Sequence, residues 1–519
     1  MHKILQKLET YSCQKLHWWV VVLSIVVAAQ VQYIQHGWIN PDSVLYLEAA
    51  NLFIQGAWQA GFDVFNWPLY ALCIAFVSKI SMFNAHLSAQ ILNVLFFSIA
   101  TFSFVQIIQL TGGKQRQIIA GALIWLSAQY MIGGVLEMLM RDEGFWAFFL
   151  LSLVFFIQFY KTGQLKHALL WQTCIIIATL FRIEAILYLL LLPAILLFQA
   201  KPIWQQKISH FLQAHSINIT LAVIITGIFT TNGALSTKLL GRLNEIFTSN
   251  LWQQFILQLQ TKSQIMSTQV LGQYLDEFAL PGLLLTFIYV VCAKTISTTG
   301  LINIGLAGMF IKQQQKNKLM NAEAYRVLLA AAFIALLSML LIITKAFVLS
   351  GRYVLALSFI LMVFATFYLA ELFSHLQSNT TGNKRINWLV TALILFMVLS
   401  SIKNLLPKQK GYNYQQDAVA WLQANNTQNK PVFYDEARMR YYAHAEFLMP
   451  WSDNWSNTLS LIASKEIYQY DYLLINFTAK QASKKLQFEQ QLPDYHNINN
   501  FYDVKAKKHT AVYIKISTK

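Results

Sequence analysis

Four short segments set ionisable residues beside long apolar runs, and chemistry is to be sought there first. The earliest is Asn40-Pro-Asp-Ser-Val-Leu-Tyr-Leu-Glu48, only a few residues past an apolar run. A carboxylate held at a membrane face by Asp42 can take a proton from an acceptor hydroxyl or hold a metal. Asp42 can instead be simply the N-terminal cap of a helix over 43–55, while Pro41 ends the incoming helix or starts the next one. The second segment is Met140-Arg-Asp-Glu-Gly144, where Asp142 and Glu143 are adjacent acids flanked by Arg141. Ionised groups beside hydrocarbon are costly without a partner, so such a pair is either functional or a neutralised loop boundary. The third is Thr179-Leu-Phe-Arg-Ile-Glu-Ala185, a tight turn between two apolar runs. Residues two apart on a helix do not face each other. Arg182 and Glu184 therefore either pair locally in the turn or reach elsewhere, with Asp142 a candidate for Arg182. The fourth runs from Lys345 to Tyr353 and ends in Ser-Gly-Arg-Tyr. Arg352 has the planar fork that suits phosphate, though Arg beside Tyr is also ordinary interfacial anchoring.

The elements that must position these residues are membrane helices. The 519-residue chain is 56% hydrophobic and 12% charged, with a mean hydropathy of +0.45. Soluble domains carry about 25% charged residues, so much of this surface is built to meet lipid. The net charge of +16 sits in loops between apolar runs and in the tail. That is the pattern of membrane topology plus a basic soluble region, not of nucleic-acid binding. The four cysteines, Cys13, Cys73, Cys174 and Cys292, show neither a disulfide framework nor metal spacing.

Runs long enough to span a bilayer recur at about 17–37, 86–110, 117–136, 144–160, 166–181, 184–199, 217–231, 282–310, 326–345, 353–373 and 386–404. The expected architecture is a polytopic α-helical membrane protein with about 11 transmembrane helices. Trp67–Phe83 reads as an outer juxtamembrane helix. With the N-terminus inside, the basic groups Lys114/Arg116, Lys161/Lys166, Lys201/Lys207, Lys312–Arg326 and Lys384/Arg385 all fall inside, and Asp42, Glu48, Asp63, Asp142 and Glu143 fall outside. The stretch 282–310 makes one crossing or two, and two would move the tail inside. The domains expected are 1–405 in the membrane, with outer segments 38–86 and 232–281, and 406–519 as a soluble α/β domain. In that domain Tyr414–Ala424 reads as an amphipathic helix. Pro431–Tyr434, Tyr470–Phe477 and Ala511–Ile516 read as strands. No Gly-rich phosphate loop is present.

An acid just past the first helix, an outer acid loop about a hundred residues on, an Arg-Tyr loop late in the bundle and an outer C-terminal domain together resemble the GT-C class of membrane glycosyltransferases. The layout is most similar to the bacterial branch related to protein O-mannosyltransferases and lipid A aminoarabinose transferases. Asp42…Tyr46…Ala49-Ala50…Gly56-Ala-Trp58 carries the likeness most specifically, and Asn66-Trp-Pro-Leu-Tyr70 stands at the family's Pro-bearing outer helix. The resemblance implies transfer of a sugar from a polyprenyl-phosphate carrier to a cell-envelope acceptor (lipid, glycan or protein) at the outer face of a bacterial inner membrane, with inversion. By position it implies Asp42 and Asp142 as catalytic acids, with Glu143 an alternative to Asp142. Arg352, Lys345 and Arg182 are the cations open to the donor phosphate, and Tyr46, Glu48, Arg141, Glu184 and Tyr353 would line the pocket. Some members hold a divalent metal (Mg, Mn or Zn), here on Asp42 and Asp142. Ser43 stands where many relatives have a second acid, and Glu143 is additional. The partners implied are the lipid-linked donor, the acceptor and membrane lipids. The rival readings are an O-antigen ligase or polymerase, whose key residues are Arg and His in a late loop, a transporter or flippase with mid-membrane charges, and a scaffold. The glycosyltransferase reading needs Asp42 and the Arg-Asp-Glu triplet to open onto one outward pocket.

Overall fold

Hydropathy and chain breaks together set the helices. A computed structural model describes residues 2–35, 37–231, 251–272, 274–377, 384–407, 413–446 and 455–516. In chain order the helices are α1 (His2–Glu9), α2 (Cys13–Ile34), α3 (Pro41–Ile54), α4 (Trp58–Val64), α5 (Leu69–Ser81), α6 (Ala85–Leu110), α7 (Gln115–Leu126) and α8 (Asp142–Thr162). Next come α9 (Leu165–Phe181), α10 (Ile186–Leu191), α11 (Trp204–Ala214), α12 (Ser216–Thr231), α13 (Leu251–Met266) and α14 (Ala279–Thr299). Then follow α15 (Leu301–Asn317), α16 (Ala322–Ala346), α17 (Gly351–Gln377) and α18 (Lys384–Lys403). Among the described residues seven stretches are long and apolar enough to cross a membrane: 13–34, 85–110, 115–135, 142–162, 276–299, 322–346 and 351–374. Leu165–Phe181, Ile183–Phe198 and Asn387–Lys403 are apolar but shorter, and they coincide with three of the expected spans. The chain is thus a largely helical, multi-pass membrane protein. The long stretch 282–310 is two helices, α14 and α15, broken at Gly300, whose φ of +87° is one that L side chains rarely adopt. Of the expected outer segment 232–281, residues 232–250 lie outside the described residues.

The chain divides into two compact units that do not follow its order. The first comprises residues 1–31, 90–137 and 141–405. Its core is aromatic: Trp125 stacks on Phe97 and Phe104, and its indole N–H donates to Thr101 Oγ1 at 2.8 Å. That bond satisfies the one polar atom of a fully buried side chain.

The second unit gathers residues 32–89, 138–140 and 406–519. Its tail adds α19 (Tyr414–Asn425), α20 (Ala437–Tyr442), α21 (Trp455–Ala463) and α22 (Ala482–Gln491). They surround a sheet of β1 (Val432–Tyr434), β2 (Tyr472–Thr478), β3 (Tyr495–Tyr502) and β4 (Lys508–Lys515) in the order β1-β2-β4-β3. The β1–β2 pair is parallel, and β4 runs antiparallel to both β2 and β3. Alternation along β2 sends Leu473, Ile475 and Phe477 to one face, against Phe488 and Leu492. Tyr472 and Leu474 go to the other, against Ala418, Val419, Leu422 and Met439. Both faces are covered, which is why β2 reads as a continuous apolar run.

The tail is anchored within this unit. Tyr442 Oη accepts the Ile39 N–H at 3.0 Å, and Tyr441 Oη lies 3.2 Å from His86 Nδ1. Burial pushes the Tyr442 hydroxyl up to about 12 and raises that of Tyr441, where Glu48 adds to the effect. The tail and segment 38–86 pack together within this unit.

Candidate active site

The Arg-Asp-Glu triplet owes its position to an irregular approach. After α7 the chain forms a π-helical turn, Met131–Val135, a distortion frequent near functional sites. It leads past Glu137, buried to 4% exposure, into α8. Asp142 and Glu143 occupy the first turn of α8, where helix dipole and carboxylate charge agree. Asp142 is 1% exposed and Glu143 fully buried.

Arg182 comes to Asp142 from the far side of the α8–α9 hairpin. It ends α9 in an extended conformation, φ −142° and ψ 118°. The helical rule that keeps residues two apart from meeting therefore does not apply, and both readings of the turn hold at once. Arg182 Nε and Nη2 reach Glu184 at 3.3 and 3.4 Å, while Nη1 donates to Asp142 Oδ1. The Tyr353 ring lies over the guanidinium at 4.4 Å, a cation–π contact. Arg352 Nη1 stands 3.7 Å from Asp142 Oδ2. Arg141 lies within electrostatic reach of Glu184. Three arginines thus gather around two acids, Asp142 and Glu184, in one unit.

Tyr130 also belongs to this group. Its hydroxyl shares a hydrogen bond with Ser350 and feels Arg352, Asp142 and Arg182. A Cβ on Gly351 would stand 2.5 Å from the Tyr130 ring and hydroxyl, so glycine there permits the close approach of the Arg352 backbone. Neither Tyr130 nor Glu137 stands out in the sequence, because one is a lone tyrosine in a helix and the other a single acid inside Gly133–Met140.

The cluster leaves out Lys345. It is exposed in the last turn of α16 and forms no ion pair among the described residues. Arg182, with its side chain 5% exposed, is engaged by Asp142 and Glu184. Asp142 is likewise held between cations. Arg352 has a side chain 27% exposed and is the most accessible of the arginines in direct contact with Asp142.

Asp42 belongs to the second unit, and of the readings open to it the helix cap does not hold. Asn40 is the N-cap of α3: its Oδ1 accepts the Asp42 N–H at 3.0 Å, and Pro41 opens the helix. The Asp42 carboxylate is therefore not consumed as the cap, and it is partly exposed. Asn40 Nδ2 and Ser43 Oγ meet Met138 and Met140 sulfurs at 3.4 and 3.7 Å, and Met140 leads directly into Arg141. Tyr46 is buried edge-on against Phe65 and Tyr70. Glu48 is half-buried, near Tyr441.

A divalent metal does not fit the residues present. Among the described residues no group of three or more His, Cys, Asp or Glu side chains could hold one. The oxygens of Asp142 face two guanidinium groups, whose charge opposes a metal ion. In the tail, Tyr434 ends β1 and is followed by Asp435, which accepts the Asn476 N–H at 2.9 Å. Glu436 takes Gln415 at 2.7 Å and Arg438 at 3.2 Å.

No protein-family model matches the chain, and no curated protein does. Among solved structures it is similar to the arabinofuranosyltransferase AftD from Mycobacteria, at 11% identity and a TM-score of 0.46 over 96% of this chain. A mutant form of AftD matches at 12% identity with the same TM-score and coverage. The chain spans 40% and 42% of the length of those two chains.

Proposed function

We propose that this protein is a membrane glycosyltransferase that moves a sugar from a polyprenyl-phosphate carrier to a cell-envelope acceptor at the outer face, with inversion. The observation that carries the reading is the buried Asp142 carboxylate between Arg182 and Arg352, with Tyr353 packed over Arg182. A carboxylate and an arginine locked together beside a more accessible arginine form a preorganised anion site. Such a site stabilises charge as it develops on a departing phosphate. In this reading the acceptor oxygen attacks the anomeric carbon, the bond to the phosphate oxygen breaks, and the phosphate leaves with its charge met by Arg352. Asp42, its carboxylate not used as a cap, receives the acceptor's proton. Asp142, Arg182 and Glu184 are positioning residues.

Membranes from a strain lacking the protein, complemented with single variants, test the assignment. The readout is transfer of radiolabelled sugar from a polyprenyl phosphate. Asp42→Asn and Arg352→Ala are expected at normal membrane levels and with transfer reduced at least about a hundredfold, the scale of one general base or one charge-stabilising donor. Full transfer by both variants refutes the reading. Loss of lipid movement without any covalent product would instead mark a transporter.

A further inference from the structure

Helix α8 carries the acid cluster at one end and a different polar feature at the other. Asp142 and Lys161 are separated by roughly 28 Å at 1.5 Å per residue, about the thickness of a hydrocarbon core. At the Lys161 end a cavity of about 690 Å³ opens between α8, residues 199–202, α11 and the start of α16. Lys161, Gln199, Lys201, His210, Glu323 and Arg326 line it.

Three cations against one carboxylate leave this lining net positive. Lys161 Nζ is fixed by the Leu110 carbonyl at 2.5 Å. Lys201 is 88% exposed and reaches Glu323 at 3.4 Å, and Arg326 is exposed without an ion pair among the described residues. The 25-residue α16 opens here at Asn321, whose side chain makes no cap bond, so the positive end of its dipole adds to the field. The second observation is Gln199, 5% exposed. Its Nε2 donates to the Tyr160 carbonyl at 2.8 Å, but its buried Oε1 has no hydrogen-bond partner. An amide oxygen in that position calls for a donor. The cavity therefore presents cations for an anion and an acceptor for a hydroxyl or ammonium. Phe198, Ile203 and Trp204 flank the 199–202 segment in the chain and are 79%, 61% and 62% exposed, an apolar rim suited to acyl chains with Trp at the interface.

We propose that this cavity binds a phospholipid headgroup, with the phosphodiester among Lys161, Lys201 and Arg326 and a headgroup hydroxyl or ammonium on Gln199 Oε1. Phosphatidylglycerol meets both requirements, whereas phosphatidylcholine has the phosphate but no such donor.

The test is thermal unfolding of the purified full chain in detergent, titrated separately with dioctanoyl phosphatidylglycerol, dioctanoyl phosphatidylcholine, glycerol 3-phosphate and inorganic phosphate. Phosphatidylglycerol is expected to raise Tm at the lowest concentration. Lys201→Ala with Arg326→Ala removes two exposed cations and should weaken that response about 25-fold, about fivefold for each. Gln199→Met should bring phosphatidylglycerol down to the phosphatidylcholine response. An unchanged phosphatidylglycerol response in the double variant overturns the proposal. So does glycerol 3-phosphate or inorganic phosphate acting as strongly as the lipid, which would make the cavity a soluble-phosphate site.

Discussion

Replacing Arg182 by Met probes the ion cluster most directly, because that one side chain holds two acids and a ring. Asp142 is 1% exposed and Arg182 5%, so the pair sits where removing one partner costs about 3–5 kcal/mol. Glu184 is 21% exposed; water takes over part of its solvation and its share is small. Loss of the Tyr353 contact adds about 0.5–2 kcal/mol, offset in part by the apolar Met filling the same space. Arg182→Met is therefore expected to lose about 3–5 kcal/mol. Asp142→Asn leaves Arg182 on Glu184 and should lose only about 1–3 kcal/mol. The double variant removes the stranded carboxylate and should lose less than the sum of the singles, with a coupling of about 1–3 kcal/mol. Denaturant unfolding of the four purified proteins, followed by tryptophan fluorescence, closes the cycle. Losses that add to within about 0.5 kcal/mol would mean that Asp142 and Arg182 do not depend on each other, and the cluster would lose its claim to be a preorganised unit.

Other outcomes follow from the same geometry. Glu143 is buried with both oxygens lacking a hydrogen-bond partner, so Glu143→Met should leave stability unchanged or raise it in the same unfolding assay; a loss above about 2 kcal/mol would mean that it is satisfied after all. Gly351→Ala forces a methyl onto Tyr130 and Thr298; it should lose about 1–3 kcal/mol and lower sugar transfer with it, by disturbing the backbone next to Arg352. The Tyr442 hydroxyl is raised from its usual value of about 10 to about 12. Its neutral form is the one the fold favours, so that stabilisation is full below about pH 10 and is lost as pH rises through about 12. Thermal unfolding of the wild type should show this decline, and Tyr442→Phe should make it shallower, with buried tyrosines such as Tyr434 and Tyr495 keeping their share, while losing about 1 kcal/mol at pH 7.

Much of the helical architecture can be read from hydropathy, because a run of apolar residues long enough to span has few soluble alternatives. The tail was harder. Helix 414–425 and strands β1, β2 and β4 show in the sequence because their buried faces are apolar at the right period. β3 does not: in Tyr-His-Asn-Ile-Asn-Asn-Phe-Tyr only Tyr495 is buried, so the strand is held by its partner β4 and not by its own pattern. At the site, Arg182 and Glu184 are visible because two charges interrupt an apolar stretch. Their pairing is not, since it depends on the extended backbone at Arg182. The cap of α3 is not legible from residue type, since Asn40 and Asp42 are both good caps and only the geometry around Pro41 separates them. Nothing local in the chain could have paired Ile39 with Tyr442.

That last contact has a consequence for how the molecule is made. Ile39 and Tyr442 are 403 residues apart, and translation proceeds at roughly 5–20 residues per second. The surface around Ile39 and α3 thus emerges roughly half a minute before its cover exists, at the middle of that range. During this interval its apolar side chains need some temporary shelter, from lipid or from a chaperone. A ribosome stalled late in the message would release a chain whose helices are all inserted and whose first loop is still waiting.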